Sequence, residues 1–341
     1  MVSLPVEWDP RLTSKPRILS PVVTTTATTT AIDVTVVGRR ILSDAVVELS
    51  LSSDGSPFPS WEPGAHIDLE LPDGAIRQYS ICGGDRDIII RIAVLREEAG
   101  RGGSRSVHDR VRVGDRLRVR ATRNHFRLRE APFYLFVAGG IGITPILPMI
   151  DAAAATAADW RLLYLGRSRD RMPYLDELQD QYGHHVYAWP SAERGWYPLD
   201  DIWARMPAGP ALVYGCGPEG LLAGLEDSAR RYDAIDRVVI ERFHPRNIEH
   251  EPNPPFEVTL ARSGAVMTVS EDESVLDAVN RAGANVLSTC REGTCGTCEV
   301  RVLAGIPEHR DSVLSLEERL ENASMMTCVS RCRGQHLVLD L

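Results

Sequence analysis

Four cysteines near the carboxyl end constrain this 341-residue chain more than any other feature: Cys290, Cys295 and Cys298 follow the spacing C-x4-C-x2-C, and Cys328 follows at a distance. That is the plant-type arrangement for a [2Fe–2S] cluster. Iron takes soft thiolate ligands, and the intervening Arg-Glu-Gly-Thr and Gly-Thr stretches are small or polar enough for a tight loop whose N–H groups point at sulfur. Gly293 and Gly296 are expected in backbone conformations closed to other residues. A structural zinc site is the alternative, but zinc usually needs two short paired spacings and only one occurs here. Cys332, four residues past Cys328, is a second candidate for the fourth ligand, and the spacing leaves that choice open.

A cluster loop occupies one small domain, so a chain of this length must hold others. From 32 to 130, short alternating segments lie between turn residues, as in His66–Leu71 before Pro72-Asp-Gly74, which predicts an antiparallel β-barrel. From 131 to 243, apolar runs alternate with helical stretches: Phe133–Ala138 then Ile146–Ala157, Arg161–Leu165 then Tyr174–Tyr182, Ala211–Tyr214 then Glu219–Arg231. This alternation predicts a doubly wound α/β domain with a parallel sheet. Residues 244–255 carry four prolines and little to bury, and read as a stiff, solvated linker. The domain from 256 to 341 should open with a hairpin around Ser263-Gly264 and a helix from Ser274 to Ala282, leading into the cysteine loop. Residues 1–31 are expected to be a flexible N-terminal extension, lacking the marks of a secretory signal.

Composition narrows the function classes. A net charge of −9 argues against a nucleic acid partner, and the lack of a run of about 18 apolar residues argues against a membrane one. Seven cysteines are too few, and too odd in number, for a disulfide framework, so a reducing cytoplasm is expected. Lys15 is the only lysine, which leaves Schiff-base and P-loop chemistry without its residue in the folded body.

Two glycine-rich turns stand out in the α/β domain. Phe133–Ala138 runs into Gly139-Gly140-Ile-Gly142-Ile-Thr144-Pro145 and then a helical pattern, where a dinucleotide pyrophosphate would find bare backbone and free N–H groups. Thr144 suits an N-cap and Pro145 a first helical turn. Tyr214-Gly-Cys216-Gly217-Pro218 is a second strand end before a helix, placing a thiol at the same carboxyl edge. Cys216 is there either as a small buried residue or as a neighbour of the nicotinamide. Arg167, Arg169 and Arg171 after the second strand either contact the ribose end of the cofactor or form a solvated charged loop.

In the barrel, Arg77-Gln78-Tyr79-Ser80 follows the Asp73-Gly74 turn, and strand alternation puts Arg77 and Tyr79 on one face and Ser80 on the other. A cation, an aromatic plane and a hydroxyl suit a phosphorylated flavin. Arg96 and Gly100-Arg-Gly102-Gly103-Ser104 add a second cation and open N–H groups for a phosphate.

Taken together, these landmarks resemble the phthalate dioxygenase reductase family from about residue 32 to 341, joined by Glu241-Arg-Phe243, His309-Arg-Asp311 and the closing Leu337-Val-Leu-Asp-Leu341. The resemblance implies a flavin barrel, an NAD domain and a β-grasp ferredoxin domain of α+β type, with FMN rather than FAD. It implies that Tyr79 packs on the isoalloxazine, that Ser80 approaches its N5, and that Arg77, Arg96 and Ser104 hold the phosphate. It puts Cys216 near the nicotinamide, Phe243 over the flavin and nicotinamide site, and Cys328 as the fourth ligand. NADH is the expected donor, although the basic Leu165-Gly-Arg-Ser-Arg169 leaves NADPH open.

A hydride carries two electrons and an iron–sulfur cluster accepts one, so a flavin must stand between them. The expected protein is an oxidoreductase, the electron-transfer reductase of a separate terminal oxygenase, Rieske-type for preference, and a monomer. Thirteen acidic and 8 basic residues between Phe256 and Leu341 make the ferredoxin domain the acidic part, fit to steer docking to a basic patch. The competing readings are a cytochrome P450 partner, and a redox sensor that keeps the cluster without hydride transfer.

Overall fold

The computed structural model describes residues 31–53, 57, 58, 60–85, 88–156, 158–207, 209–246 and 253–341. Residues 1–30 of the expected extension and 247–252 of the expected linker lie outside the described residues.

Strands β1 (Ile32–Ser43), β2 (Val46–Ser53), β3 (His66–Glu70), β4 (Ile76–Gly83), β5 (Ile89–Leu95) and β6 (Arg116–Arg123) close into a barrel in the order β1-β2-β5-β4-β3-β6, with α1 (Gly103–Arg110) between β5 and β6. Alternation explains the closure. In β6, Leu117, Val119 and Ala121 are buried while Arg116, Arg118 and Arg120 face water. Val34, Leu49, Leu51, Ile67, Ile90 and Ile92 join them in the barrel core.

The next elements are β7 (Phe133–Gly139), α2 (Leu147–Ala154), β8 (Asp159–Gly166), α3 (Leu175–Tyr182), β9 (Val186–Pro190), α4 (Ser191–Arg194), α5 (Asp201–Arg205), β10 (Leu212–Cys216), α6 (Glu219–Arg231) and β11 (Val238–Glu241). Their sheet has the order β11-β10-β7-β8-β9, and β7 runs parallel to both β8 and β10. Every residue of β7 is buried, because Tyr134, Phe136 and Ala138 face one apolar layer and Phe133, Leu135 and Val137 the other. The first layer also takes in Val46, Cys82 and Ala93 from the outer face of the barrel. Barrel and parallel sheet are therefore one compact unit with a shared core.

The C-terminal unit is a mixed sheet of β12 (Phe256–Leu260), β13 (Val266–Val269), β14 (Glu299–Ala304), β16 (Ser324–Met326) and β18 (His336–Leu339), with β15 (Pro307–Glu308) and β17 (Arg331–Cys332) paired beside it. Central β12 and β18 are parallel and their other neighbours antiparallel, the β-grasp pattern. Helix α7 (Val275–Arg281), capped by Ser274 Oγ accepting the Asp277 N–H, packs Val275, Ala278 and Val279 on the sheet. Its Leu276 reaches a second cluster with Cys298, Leu314 and Met326, beneath the cysteine loop. Helix α8 (Leu316–Glu321) begins with a Ser315/Glu318 capping box. Among the described residues, no helix is long and apolar enough to cross a membrane.

Candidate functional site

The loop between α7 and β14 and the turn after β16 bring four thiols together. The Cys290 sulfur is within hydrogen-bonding reach of those of Cys295 and Cys328, and the Cys298 sulfur of that of Cys328. Protons shared among them lower the Cys290 thiol and raise those of Cys295 and Cys328. Backbone N–H groups of Glu292 and Thr294 donate to Cys290 Sγ at 3.3 and 3.5 Å, and the Thr297 hydroxyl lies 3.1 Å from Cys295 Sγ. Gly293 and Gly296 have φ of 70° and 73°, as expected. A Cβ on Gly293 would meet Val329 Cγ2 at 2.6 Å and Asp311 Cα at 3.0 Å, so the loop is shut against its neighbours there.

Those neighbours are fixed in turn. Asp311 is fully buried and accepts the N–H groups of Val313 and Leu314 at 2.9 and 2.8 Å, while Ser312 N–H donates to the Gly293 carbonyl at 2.8 Å. Cys332, the other candidate for the fourth ligand, has its sulfur in the sheet core, where it donates to His336 O at 3.6 Å and accepts from Gly334 N at 3.2 Å. Four converging sulfurs with donors turned toward them fit a [2Fe–2S] cluster.

The two glycine turns flank the point where strand order reverses, between β7 and β10, which is where open α/β sheets bind ligands. Cys216 pairs with Ala138 in the parallel register, so the turns leave the sheet side by side. They touch backbone to backbone: a Cβ on Gly142 would fall 2.2 Å from the Cys216 carbonyl oxygen. Gly140, with φ 55°, has no atom within 4 Å of its missing Cβ, leaving space that a phosphate can approach. Thr144 and Pro145 differ from expectation. A 3-10 turn over Gly140–Ile143 follows the strand, Ile146 is the N-cap of α2, and the buried Thr144 hydroxyl donates back to Ile141 O at 3.0 Å. The left-handed Gly140 tightens the chain before the helix starts, so Thr144 closes one turn instead of opening the next.

Cys216 is fully buried in the core shared with the barrel, and Gly217 and Pro218 lie against Gly139. Arg167 and Arg169 are exposed beyond the carboxyl end of β8, and the Arg169 guanidinium reaches Gln179 Oε1 at 2.7 Å and Asp176 at 3.4 Å. Phe243 is 37% exposed just past β11.

On β4, Tyr79 packs against the barrel core, while Ser80, 7% exposed, lies on the opposite face with Cys82. Arg77 precedes them with its Nη1 on the Ile76 carbonyl at 2.8 Å, and Gln78 lies between, half-buried. Gly102 is left-handed at the N-cap of α1, Gly103 and Ser104 open the helix, and its first turn has no acidic residue, which suits an anion. The Ser104 hydroxyl accepts Glu97 N–H at 3.0 Å. Arg96 is already paired, with Asp109 at 2.6 and 3.3 Å and with Glu98 at 2.7 Å. A flavin phosphate at Arg96 must therefore compete with two carboxylates. The glycine-opened helix start and the Tyr79/Ser80 strand fit a phosphorylated flavin.

Several buried groups escaped the sequence reading. Glu48 and Tyr174 are bonded across 126 positions of sequence, and no local pattern points to such a pair. Glu241 closes the apolar strand Val238-Val-Ile-Glu241 with a buried Oε2 that has no hydrogen-bond partner among the described residues, and burial pushes its carboxyl up to about 8. Its signal was a lone acid at the end of an apolar run. A concavity of about 420 Å³ beside Asp33, Glu70 and Arg116 is lined by none of the candidate site residues.

Comparison with known proteins adds independent findings. Residues 258–333 match the 2Fe-2S iron-sulfur cluster binding domain family. The chain is 40% identical to the reductase subunit TsaB1 of the toluene-4-sulfonate monooxygenase system of Comamonas testosteroni, over 91% of this chain and 99% of that one. Phthalate dioxygenase reductase, described as a modular structure for electron transfer from pyridine nucleotides to [2Fe–2S], matches with a TM-score of 0.65 and 32% identity over 91% of this chain and 98% of that one. An intact type IV self-sufficient cytochrome P450 monooxygenase matches with a TM-score of 0.85 and 40% identity over 91% of this chain, which spans only 41% of that protein.

Proposed function

This chain belongs to the phthalate dioxygenase reductase family of oxygenase reductase components, and on that premise we propose how its own residues serve an NAD(P)H-dependent reductase that delivers electrons to a terminal oxygenase. Bound FMN and [2Fe–2S] supply the exchange between hydride chemistry and single-electron transfer.

Residues 32–130 form the flavin module. Tyr79 packs on the isoalloxazine, Ser80 meets its N5 side, and Gly102, Gly103 and Ser104 with Arg77 and Arg96 take the phosphate. Residues 131–243 take the nucleotide: Gly139, Gly140 and Gly142 let the pyrophosphate approach, Arg167 and Arg169 face the ribose end, and the backbone at Cys216–Pro218 borders the nicotinamide. Phe243 excludes water from the reacting rings. Residues 256–341 hold the cluster through Cys290, Cys295, Cys298 and Cys328. NADH is the preferred donor.

The observation that carries this reading is the convergence of four sulfurs in a chain whose two glycine turns meet at the topological switch point. We assign a Rieske-type oxygenase as acceptor. A P450 acceptor is the second reading, favoured by the likeness to a self-sufficient P450. A reducing compartment, the cytoplasm, suits seven thiols of which four hold iron. The test is an absorption spectrum of purified protein. Flavin and [2Fe–2S] bands bleaching together on NADH addition are expected, and cluster bands without flavin would instead support a redox sensor.

A further inference from the structure

We propose that Tyr174 is a positioning residue for hydride transfer, its hydroxyl tying the strand that carries Ser80 to the segment that holds the Gly140 turn; this inference rests on the reductase reading above. Tyr174 stands at the N-cap of α3 with φ 65° and ψ 5°, a left-handed backbone that a bulky residue adopts only when its surroundings enforce it. The enforcement is visible. Its hydroxyl donates to Glu48 Oε2 at 2.7 Å and lies 3.4 Å from Cys82 Sγ, both on the outer face of the barrel. Glu48 is 5% exposed and is held by Arg40 Nε at 3.2 Å and Arg91 Nη1 at 3.7 Å. Arg40 also binds Glu177 of α3 and stacks over the Tyr174 ring at 5.6 Å.

Each end of this arrangement meets a cofactor element. Cys82 is two residues beyond Ser80 on the same face of β4, so fixing Cys82 fixes the side from which Ser80 is presented. On the other side, the buried Tyr164 hydroxyl reaches both Pro173 O at 2.9 Å and Gly140 O at 3.1 Å. A bonded path thus runs from the glycine turn through Tyr164, Pro173 and Tyr174 to Glu48 and Cys82. Hydride transfer demands close approach of two rings, and a displacement of about 1 Å can cost on the order of a hundredfold in rate. A bond that only glued barrel to sheet would affect melting; one that sets register must affect the hydride step.

The test uses the full holoprotein in two variants, Tyr174→Phe, which removes only the hydroxyl, and the near-isosteric Glu48→Gln. In stopped-flow experiments at saturating NADH, Tyr174→Phe with full flavin and cluster content should reduce its flavin at least about fivefold more slowly than the unsubstituted protein. Its KM for NADH should change less than about twofold, and dithionite should reduce its cluster at the unsubstituted rate. Glu48→Gln weakens the same bond from charged to neutral and should slow the step by about threefold. Flavin reduction by Tyr174→Phe less than fivefold slowed overturns the proposal. Should Tyr174→Phe lose its flavin, Glu48→Gln decides alone, and an unchanged rate overturns it. Failure of NADH to reduce flavin in the unsubstituted protein would instead strike the reductase reading.

Discussion

A methyl group on Gly142 would come within 2.2 Å of the carbonyl oxygen of Cys216, on the strand beside it. The obstacle is backbone held in a parallel ladder, which cannot move aside as a flexible side chain can. Gly142→Ala is therefore expected to destabilise the barrel-and-sheet unit by about 2–3 kcal/mol or more. Gly140→Ala meets open space and carries only the left-handed backbone cost of about 1–2 kcal/mol. Thermal melts of the two variants check the order; a Gly142→Ala midpoint equal to the unsubstituted one would mean the turns are not packed as described.

The sulfur of Cys332 is buried in the sheet core while that of Cys328 faces Cys290 and Cys298. Cys328→Ser should abolish the cluster's visible bands and its full complement of iron and sulfide. Cys332→Ser should keep both and lose only packing, about 1 kcal/mol. Iron and sulfide analysis of the two variants decides, and a reversed pattern would move the fourth ligand to Cys332.

What the sequence revealed and concealed follows from distance along the chain. The cysteine spacing, the glycine turns and the strand–helix alternation are local, and local geometry made them legible. The ordering of β10 beside β7 was anticipated only as a shared carboxyl edge, yet it is what brings Gly142 against Cys216. Thr144 misled because the rule for helix starts assumes a helix directly after the strand, and Gly140 inserts a 3-10 turn. Arg96 looked like an open cation because Asp109, one of its two partners, reaches it only once α1 folds back, although the other, Glu98, stands two residues away in the sequence. Glu48 and Tyr174 could not be paired without the fold, since their bond exists only once barrel and sheet share a core.

Glu241 gives a stability signature. Its carboxyl, pushed by burial from 4.5 up to about 8, stays protonated in the fold at pH values where the unfolded chain ionises. Its contribution is present in full below pH 4.5 and is lost as pH rises through 8, at about 1.4 kcal/mol per pH unit in between. Glu241→Gln, neutral throughout, should gain stability relative to the unsubstituted protein as pH increases over that window. Urea denaturation at pH 5, 6.5 and 8 measures the difference, and parallel curves would mean the carboxyl is solvated.

His125 acts in the opposite direction. Its Nε2 is buried with no hydrogen-bond partner among the described residues, and the ring stacks on His66 with centroids 6.1 Å apart. Burial, then the charges of His66, Arg123 and Arg127, lower its pKa from 6.5 to about 3. The folded ring therefore stays neutral while the unfolded one takes a proton below pH 6.5. Stability present above pH 6.5 is lost as pH falls toward 3, again at about 1.4 kcal/mol per pH unit. Carboxylates titrating at the acid end fall in the same direction, so the test is the difference between His125→Gln and the unsubstituted protein. That difference should narrow in the variant's favour between pH 6.5 and 5, where few carboxylates change charge. If both lose stability at the same rate over that interval, His125 protonates in the fold, and the sealed contact with His66 must open to water.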